Sequence, residues 1–455
     1  MGMEKDKATS ALQRCMEHAS GLQVDAADGL ACFSVSKSVR IRKGETESVE
    51  QESTEGLGLR VMVNGSQASA STMDLEDSSL DDFVSRLVSL ARATARDPDL
   101  SLPDREIGQG EASWPDESDR AAQGVNVDEL RDLALEAEAA GFEVDPRIDN
   151  SEGAEASVGA YGIAYADTEG LSRWRSSTSF SLVCTMIARD AASGEMERDY
   201  WWASRRFRDD LPTPAEIGKA AGLRAIRRLG AGNVASAAMP VVLAPQPAAG
   251  LLRHLSSAMN GYSIYRGASF LCGKMGDKVA ASSITLVDDP HISGAVGSRG
   301  FDGEGANTCK NVLIEDGVLG RYILDTYSAK KLGMVSGRQA VRSLGGPPRA
   351  GTSNLHLLPG NTPPEEIIAQ VSQGVYISEF IGMGVNMVTG DFSKGATGFL
   401  IENGKLGPPI REFTVAGNLH QLMQDISVVG SDLDPYRGVS SPTLLVKSLS
   451  IGGSG

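Results

Sequence analysis

Histidine and cysteine, the side chains that most often hold metals or act as nucleophiles near neutral pH, number five each in 455 residues. The histidines stand at 18, 254, 291, 356 and 420, too far apart for one helix to present two imidazoles to a metal. The cysteines, at 15, 32, 184, 272 and 309, form no Cys-x-x-Cys pair. Such an odd and scattered set fits reduced thiols better than a metal or disulfide framework. Only Asp288-Asp289-Pro290-His291 crowds carboxylates against an imidazole. That segment reads either as a metal or acid/base site or as a β-turn with a solvated aspartate pair. Cys309 has no general base beside it in sequence, so a thiol nucleophile there depends on the fold. The run from Arg299 to Glu304 reads as an Arg–carboxylate pair bracing a turn.

Phosphate-binding and nucleophile-elbow patterns fail on context. Gly230-Ala-Gly232-Asn-Val-Ala235 fits a loose dinucleotide fingerprint, but it follows a predicted helix and leads into a strand, the reverse of what places a helix N-terminus on a pyrophosphate. No P-loop occurs, and Gly390-Asp-Phe-Ser393-Lys-Gly395 has one residue too many for a nucleophile elbow.

The elements that must position any site change character along the chain. Residues 8–19 read as a helix and 29–43 as a half-buried strand. Strand-like runs at 57–63 and 67–72 flank Asn64-Gly65, a hairpin signal. Ser79, three residues before Asp82, reads as the cap of a helix whose apolar stripe is Leu80, Val84, Leu87 and Ala91. A loop is expected over 97–125. Asn126 and Glu129 then cap a second helix, stopped by Gly141. Strands near 154–166, 176–188 and 196–203 precede Thr213-Pro214-Ala215-Glu216, which supplies N-cap, N1 proline and N3 glutamate for a helix to about Gly230. Residues 262–455 are rich in glycine, β-formers and turn pairs such as Asp302-Gly303, Asp316-Gly317 and Asn403-Gly404. The expected class is α+β: a mixed N-terminal domain over 1–232, then a β-rich domain over 233–455 with a large, mostly antiparallel sheet or partial barrel.

Composition narrows the partners. Lys plus Arg is 43 and Asp plus Glu 59, for a net charge of −16, which disfavours direct nucleic-acid binding. The Met-Gly-Met-Glu start has no apolar core for a secretory signal, and position 6 is Asp where myristoylation needs Ser or Thr. The longest apolar stretch, 235–252, is broken by Pro240, Pro245 and Pro247 and too short to span a bilayer. A cytoplasmic protein without a membrane partner is expected.

The C-terminal half carries a resemblance. Gly384-Val-Asn-Met-Val-Thr-Gly-Asp-Phe-Ser-Lys-Gly-Ala396, Ile401-Glu-Asn-Gly404 and Glu412-Phe-Thr-Val-Ala-Gly-Asn-Leu419 resemble blocks of the TldD/PmbA family. Phe301-Asp-Gly-Glu-Gly305, Leu324-Asp-Thr-Tyr-Ser-Ala329 and Ser353-Asn-Leu355 do so in the same order, and the N-terminal half follows more loosely through Gly58-Leu-Arg-Val61.

The resemblance implies a cytoplasmic metallopeptidase of two related subunits that trims unfolded peptides, in a family also labelled modulator of DNA gyrase. In the TldD-type subunit a His-Glu-x-x-x-His helix and a distant cysteine hold zinc, and the glutamate activates water. Here the corresponding helix reads Leu251-Leu-Arg-His254-Leu255-Ser-Ser-Ala-Met259-Asn260. His254 keeps the first position, Leu255 replaces the glutamate and Met259 the second histidine, and the tail at 438–447 has no cysteine. The chain therefore resembles the PmbA/TldE-type subunit. It implies no catalytic or metal-binding residue in this chain, no cofactor of its own, and zinc in a TldD-type partner forming a heterodimer, with a homodimer as the alternative when alone. Val385 to Ser393 alternates as a strand does, and an extended peptide substrate is expected against an exposed strand edge formed by Gly384, Asn386, Thr389, Gly390, Asp391, Ser393 and Gly395. The same glycines read equally as turn and packing positions. Two other classes remain: a stand-alone adaptor acting on a regulatory partner such as gyrase, and a hydrolase using Asp288, Asp289 and His291 or Cys309.

Overall fold

The computed structural model describes residues 2–105, 114–382 and 384–453. Its N-terminal half is one antiparallel sheet of six strands in the order β3-β2-β1-β4-β5-β6. These are β1 (Ala26–Arg42), β2 (Glu45–Val63), β3 (Ser66–Thr72), β4 (Ile148–Asp167), β5 (Ser172–Arg189) and β6 (Met196–Arg205). Helices α1 (Gly2–Gly21) and α2 (Asp77–Arg92) bury Leu12, Cys15, Leu80, Val84 and Leu87 against Leu57, Leu59 and Val61 of β2. Helices α3 (Val127–Phe142) and α4 (Pro214–Arg228) bury Leu130, Ala134 and Ile217 against Ile41, Leu182 and Met186.

Local signals placed these helices. Asn126 caps α3 by accepting from the Glu129 N–H, and Thr213 with Glu216 closes a reciprocal capping box on α4. Ser79 does not cap α2: the helix opens two residues earlier, behind Glu76, so Ser79 lies in its first turn. Gly141 does not stop α3 either. It lies inside the helix where a Cβ would meet the Met186 sulfur at 2.7 Å, so close packing is its reason. The loop expected over 97–125 includes 106–113, which lie outside the described residues, and Arg120–Gln123 form a short 3-10 turn.

The C-terminal half opens with β7 (Ala237–Leu243) and α5 (Pro245–Met259). β7 pairs in parallel with strand Gln373–Ile381 and antiparallel with Leu444–Gly452. Strand Asp391–Glu402 lies between Gln373–Ile381 and Lys405–Asn418. Thr414 to Ala416 then pair with Ser450 to Gly452, closing a five-stranded ring. A second five-stranded sheet of short strands includes Leu286–Asp288, Leu355–Leu357 and Val439–Ser440. The two are sealed by one apolar core that takes in Leu251, Leu255 and Met259 of α5, Val375, Val415 and Val446 of the ring, and Leu286, Leu355 and Leu357 of the second sheet.

Buried charge joins the halves. Asp28 of β1 is fully buried and accepts two bonds from Arg60, 2.9 and 2.8 Å, while Arg342 Nη1 lies 3.0 Å from the Oδ1 that accepts from Arg60 Nε. Close backbone contact accompanies it: a Cβ at Gly58 would stand 1.8 Å from the Leu344 carbonyl oxygen. Among the described residues no helix is long and apolar enough to cross a membrane.

Candidate functional site

α5 is built to sit with its N-terminus on the ring. Pro245 occupies its first position, where a missing N–H costs nothing, and the Ala244 N–H is held by the Ile377 carbonyl at 3.0 Å. Its apolar stripe turns Leu251, Leu252, Leu255, Ala258 and Met259 inward. Leu255 is 2% exposed and Met259 fully buried, so the two positions that would carry glutamate and the second histidine are core. His254 stands half-buried, and burial, then the nearby Lys394 and Arg253 charges, lower its pKa and favour the neutral ring. One imidazole flanked by two cations does not fit zinc, which takes three or four N, S or O donors. Among the described residues no group of three His, Cys, Asp or Glu side chains is arranged to hold a metal.

The 384–395 segment is a braced turn running into a strand, and so differs from the alternating strand expected over 385–393. The Gly390 N–H donates to the Asn386 carbonyl and the Asn386 N–H to the Asp391 carbonyl, both at 2.8 Å. Asn386 Oδ1 accepts from Val388 N–H, and Thr389 Oγ1 accepts from Asp391 N–H. Asn418 donates to the Asp391 carboxylate at 2.9 Å, which with Thr389 holds that group below the usual carboxylate range. Gly390 has φ +84°, and a Cβ on Gly384 would meet the Ser393 carbonyl oxygen at 2.2 Å. The edge expected to take a peptide through its main chain is already paired here. Ser393 N–H donates to Gly384 and Ser393 registers with Ala416, while Gly395 lies between Ile381 and Thr414. The side chains of Asn386, Thr389, Asp391 and Ser393 remain exposed.

The other candidates are spent on structure. Asp288 is buried and accepts from Ser353 N–H and Oγ, each at 2.7 Å, and from Gln339 at 2.6 Å. Asp289 accepts from the His291 N–H, and the His291 ring meets the Thr308 hydroxyl at 3.1 Å. The Cys309 thiol points to the Gly337 carbonyl at 3.6 Å. The turn at 299–304 is braced by Asp302, which accepts from the Glu304, Ala306 and Ala340 N–H groups, and not by the expected ion pair. Arg299 instead donates to the Thr352 carbonyl at 3.5 Å, and its burial lowers its pKa. Glu304 is buried, and its pKa is pushed up to about 8 by burial and then by Asp302.

A cleft of about 570 Å³ lies on the N-terminal sheet around Phe33, Val35, Tyr161 and Trp174. Another, about 530 Å³, lies between the halves. Its walls are Tyr200, Trp201 and Trp202 of β6, the Pro245–Arg253 side of α5, Phe380, Lys394, and the 432–441 loop. Arg437 stacks over Trp202 at 4.7 Å, and Arg224 over Trp201 at 5.3 Å. Sequence reasoning missed this cleft, whose residues come from segments up to about 240 positions apart; the adjacent tryptophans were its one local sign.

Similarity to known proteins agrees with this architecture. Family models described as PmbA/TldA metallopeptidase domain 1, central domain and C-terminal domain match residues 31–91, 121–229 and 236–453. An Escherichia coli protein named metalloprotease PmbA is 32% identical over 97% of this chain and 95% of its own length. A Haemophilus influenzae metalloprotease PmbA homolog is 30% identical over 92% and 90%. A Bacteroides thetaiotaomicron structure described as a candidate modulator of DNA gyrase superposes with TM-score 0.89 at 30% identity, covering 98% of each chain. TldE from Thermococcus kodakarensis, at 21% identity, shares the fold with TM-score 0.87 over 97% of this chain and all of its own. The chain belongs to the PmbA/TldD metallopeptidase family.

Proposed function

We propose that this chain is the metal-free, TldE-type subunit of a cytoplasmic two-subunit peptidase that processes unfolded peptides. A TldD-type partner supplies zinc and the general base, and this chain completes the substrate cleft. The observation that carries the reading is the inward packing of Leu255 and Met259 on α5, which leaves His254 alone at the position of a zinc helix. Likeness to TldE in fold and the TldD homologues among the relatives support the pairing. The turn bearing Gly384, Asn386, Thr389, Gly390, Asp391, Ser393 and Gly395 forms part of the peptide wall through its exposed side chains. Sedimentation of this chain with a TldD-type zinc subunit tests the pairing: a one-to-one complex is expected, and separate species overturn it. Unchanged cleavage by a pair carrying Asp391→Ala and Ser393→Ala removes the turn from the peptide wall.

A further inference from the structure

Lys394 is 7% exposed and makes no ion pair among the described residues. Its Nζ donates to the Gly382 carbonyl at 3.3 Å and lies over the Phe380 ring at 5.7 Å, at the wall of the interdomain cleft. A buried ammonium without an anion is costly, and burial accordingly lowers its pKa. Arg253 of α5 lines the same cleft, is exposed, and also makes no ion pair among the described residues.

The carboxylates of the cleft are committed elsewhere. Glu379 pairs with Arg228 at 3.5 Å, and Asp434 with Arg437 at 3.1 Å and Arg205 at 3.3 Å. Asp432 accepts from Thr443 N–H and Oγ1 at 2.8 and 2.7 Å. The remaining cations, Arg224 and Arg437, are taken up by Asp199 and Asp434. Lys394, buried, and Arg253 are thus left without an ion-pair partner, with Asp432 the one cleft carboxylate held by neutral groups, in a cavity whose walls include Trp201, Trp202 and Phe380. Its volume of about 530 Å³ suits a ligand of a few residues.

We propose that this cleft binds the C-terminal end of a peptide, with the terminal carboxylate between Lys394 and Arg253 and the last side chain against Trp201, Trp202 and Phe380. The inference rests on the peptide-processing reading for the class of ligand, and it gives this subunit a binding site of its own. A terminal carboxylate offers the charge the two cations lack, and an apolar last residue suits the aromatic wall.

Calorimetry on the full chain without the zinc subunit tests it, using N-acetyl-Ala-Ala-Phe as the free acid and as the amide. The free acid is expected to bind about tenfold or more tighter than the amide. Lys394→Met and Arg253→Ala are each expected to erase most of that preference. Arg253 is exposed, so its variant keeps the test decisive if the Lys394 variant folds poorly. Equal binding of acid and amide, no binding of either, or a preference that survives in Arg253→Ala overturns the proposal. Because the zinc subunit is absent, failure of the two chains to pair leaves this result standing, and loss of the preference leaves the pairing untouched.

Discussion

Restoring the zinc-helix residues should break this protein before it creates an enzyme. Leu255→Glu gives up about 2–3 kcal/mol of side-chain burial. It also places a carboxyl inside the apolar core to which Val241, Leu251 and Leu286 belong, a further ~1–3 kcal/mol for the protonated form and more when ionised. The sum, about 3–6 kcal/mol, is comparable with the whole stability of many domains. Burial raises the introduced carboxyl's pKa in the folded state, so the loss deepens as pH rises above the ordinary glutamate value. Met259→His adds a second polar group at a fully buried position. Urea unfolding at acidic and alkaline pH, with Leu255→Met as a control costing under about 1.5 kcal/mol, measures the effect. Zinc titration of the double variant completes the assay. A double variant with an unchanged unfolding midpoint and one tightly bound zinc would refute the reasoning.

Further outcomes follow from the packing. Arg342→Ala leaves the buried Asp28 with one of its two arginines and should cost about 3–5 kcal/mol in denaturant unfolding; a loss under about 1 kcal/mol contradicts a clamp between the halves. Glu304 holds its proton more tightly folded than unfolded, so the stability it contributes is fully present below the ordinary glutamate pKa and lost as pH rises through about 8. Glu304→Gln should therefore flatten the fall in unfolding midpoint between about pH 4.5 and about pH 8, and an unchanged fall rejects that assignment. Gly384→Ala drives a Cβ into the Ser393 carbonyl oxygen and should cost roughly 1–3 kcal/mol, with faster amide exchange over the 386–393 turn; unaltered exchange means the turn has room to spare.

Features written in neighbouring residues were legible. The capping residues of α3 and α4 act within three positions, and Asn64-Gly65 and Asn403-Gly404 adopt the positive φ values that two-residue hairpins need. The first half of β2, Glu45–Glu55, was not legible, because it is polar on both faces and exposed. It is a strand because β1 pairs with it from Phe33 with Glu55 to Arg42 with Glu45, with one bulge at Glu47 where the register shifts between Arg40 and Ile41. Ring closure between 414–416 and 450–452 is likewise a distant pairing without a periodic signature. At the site, the substitutions at 255 and 259 could be read within one helix. The spare charge of Lys394 emerges only once every carboxylate near it has been placed. The turn at 386–390 hid behind an alternating pattern because Asn386 and Thr389 bond to their own backbone neighbours.

The central claim is that this chain supplies no metal chemistry yet completes the cleft of a partner that does. Its most direct test is a titration of this chain into a fixed amount of a TldD-type zinc subunit, following cleavage of an unstructured peptide. The account predicts no cleavage by this chain alone, a rise that saturates at one chain per zinc subunit, and abolition by a chelator. Robust cleavage by this chain alone, or a rate indifferent to its addition, would contradict it.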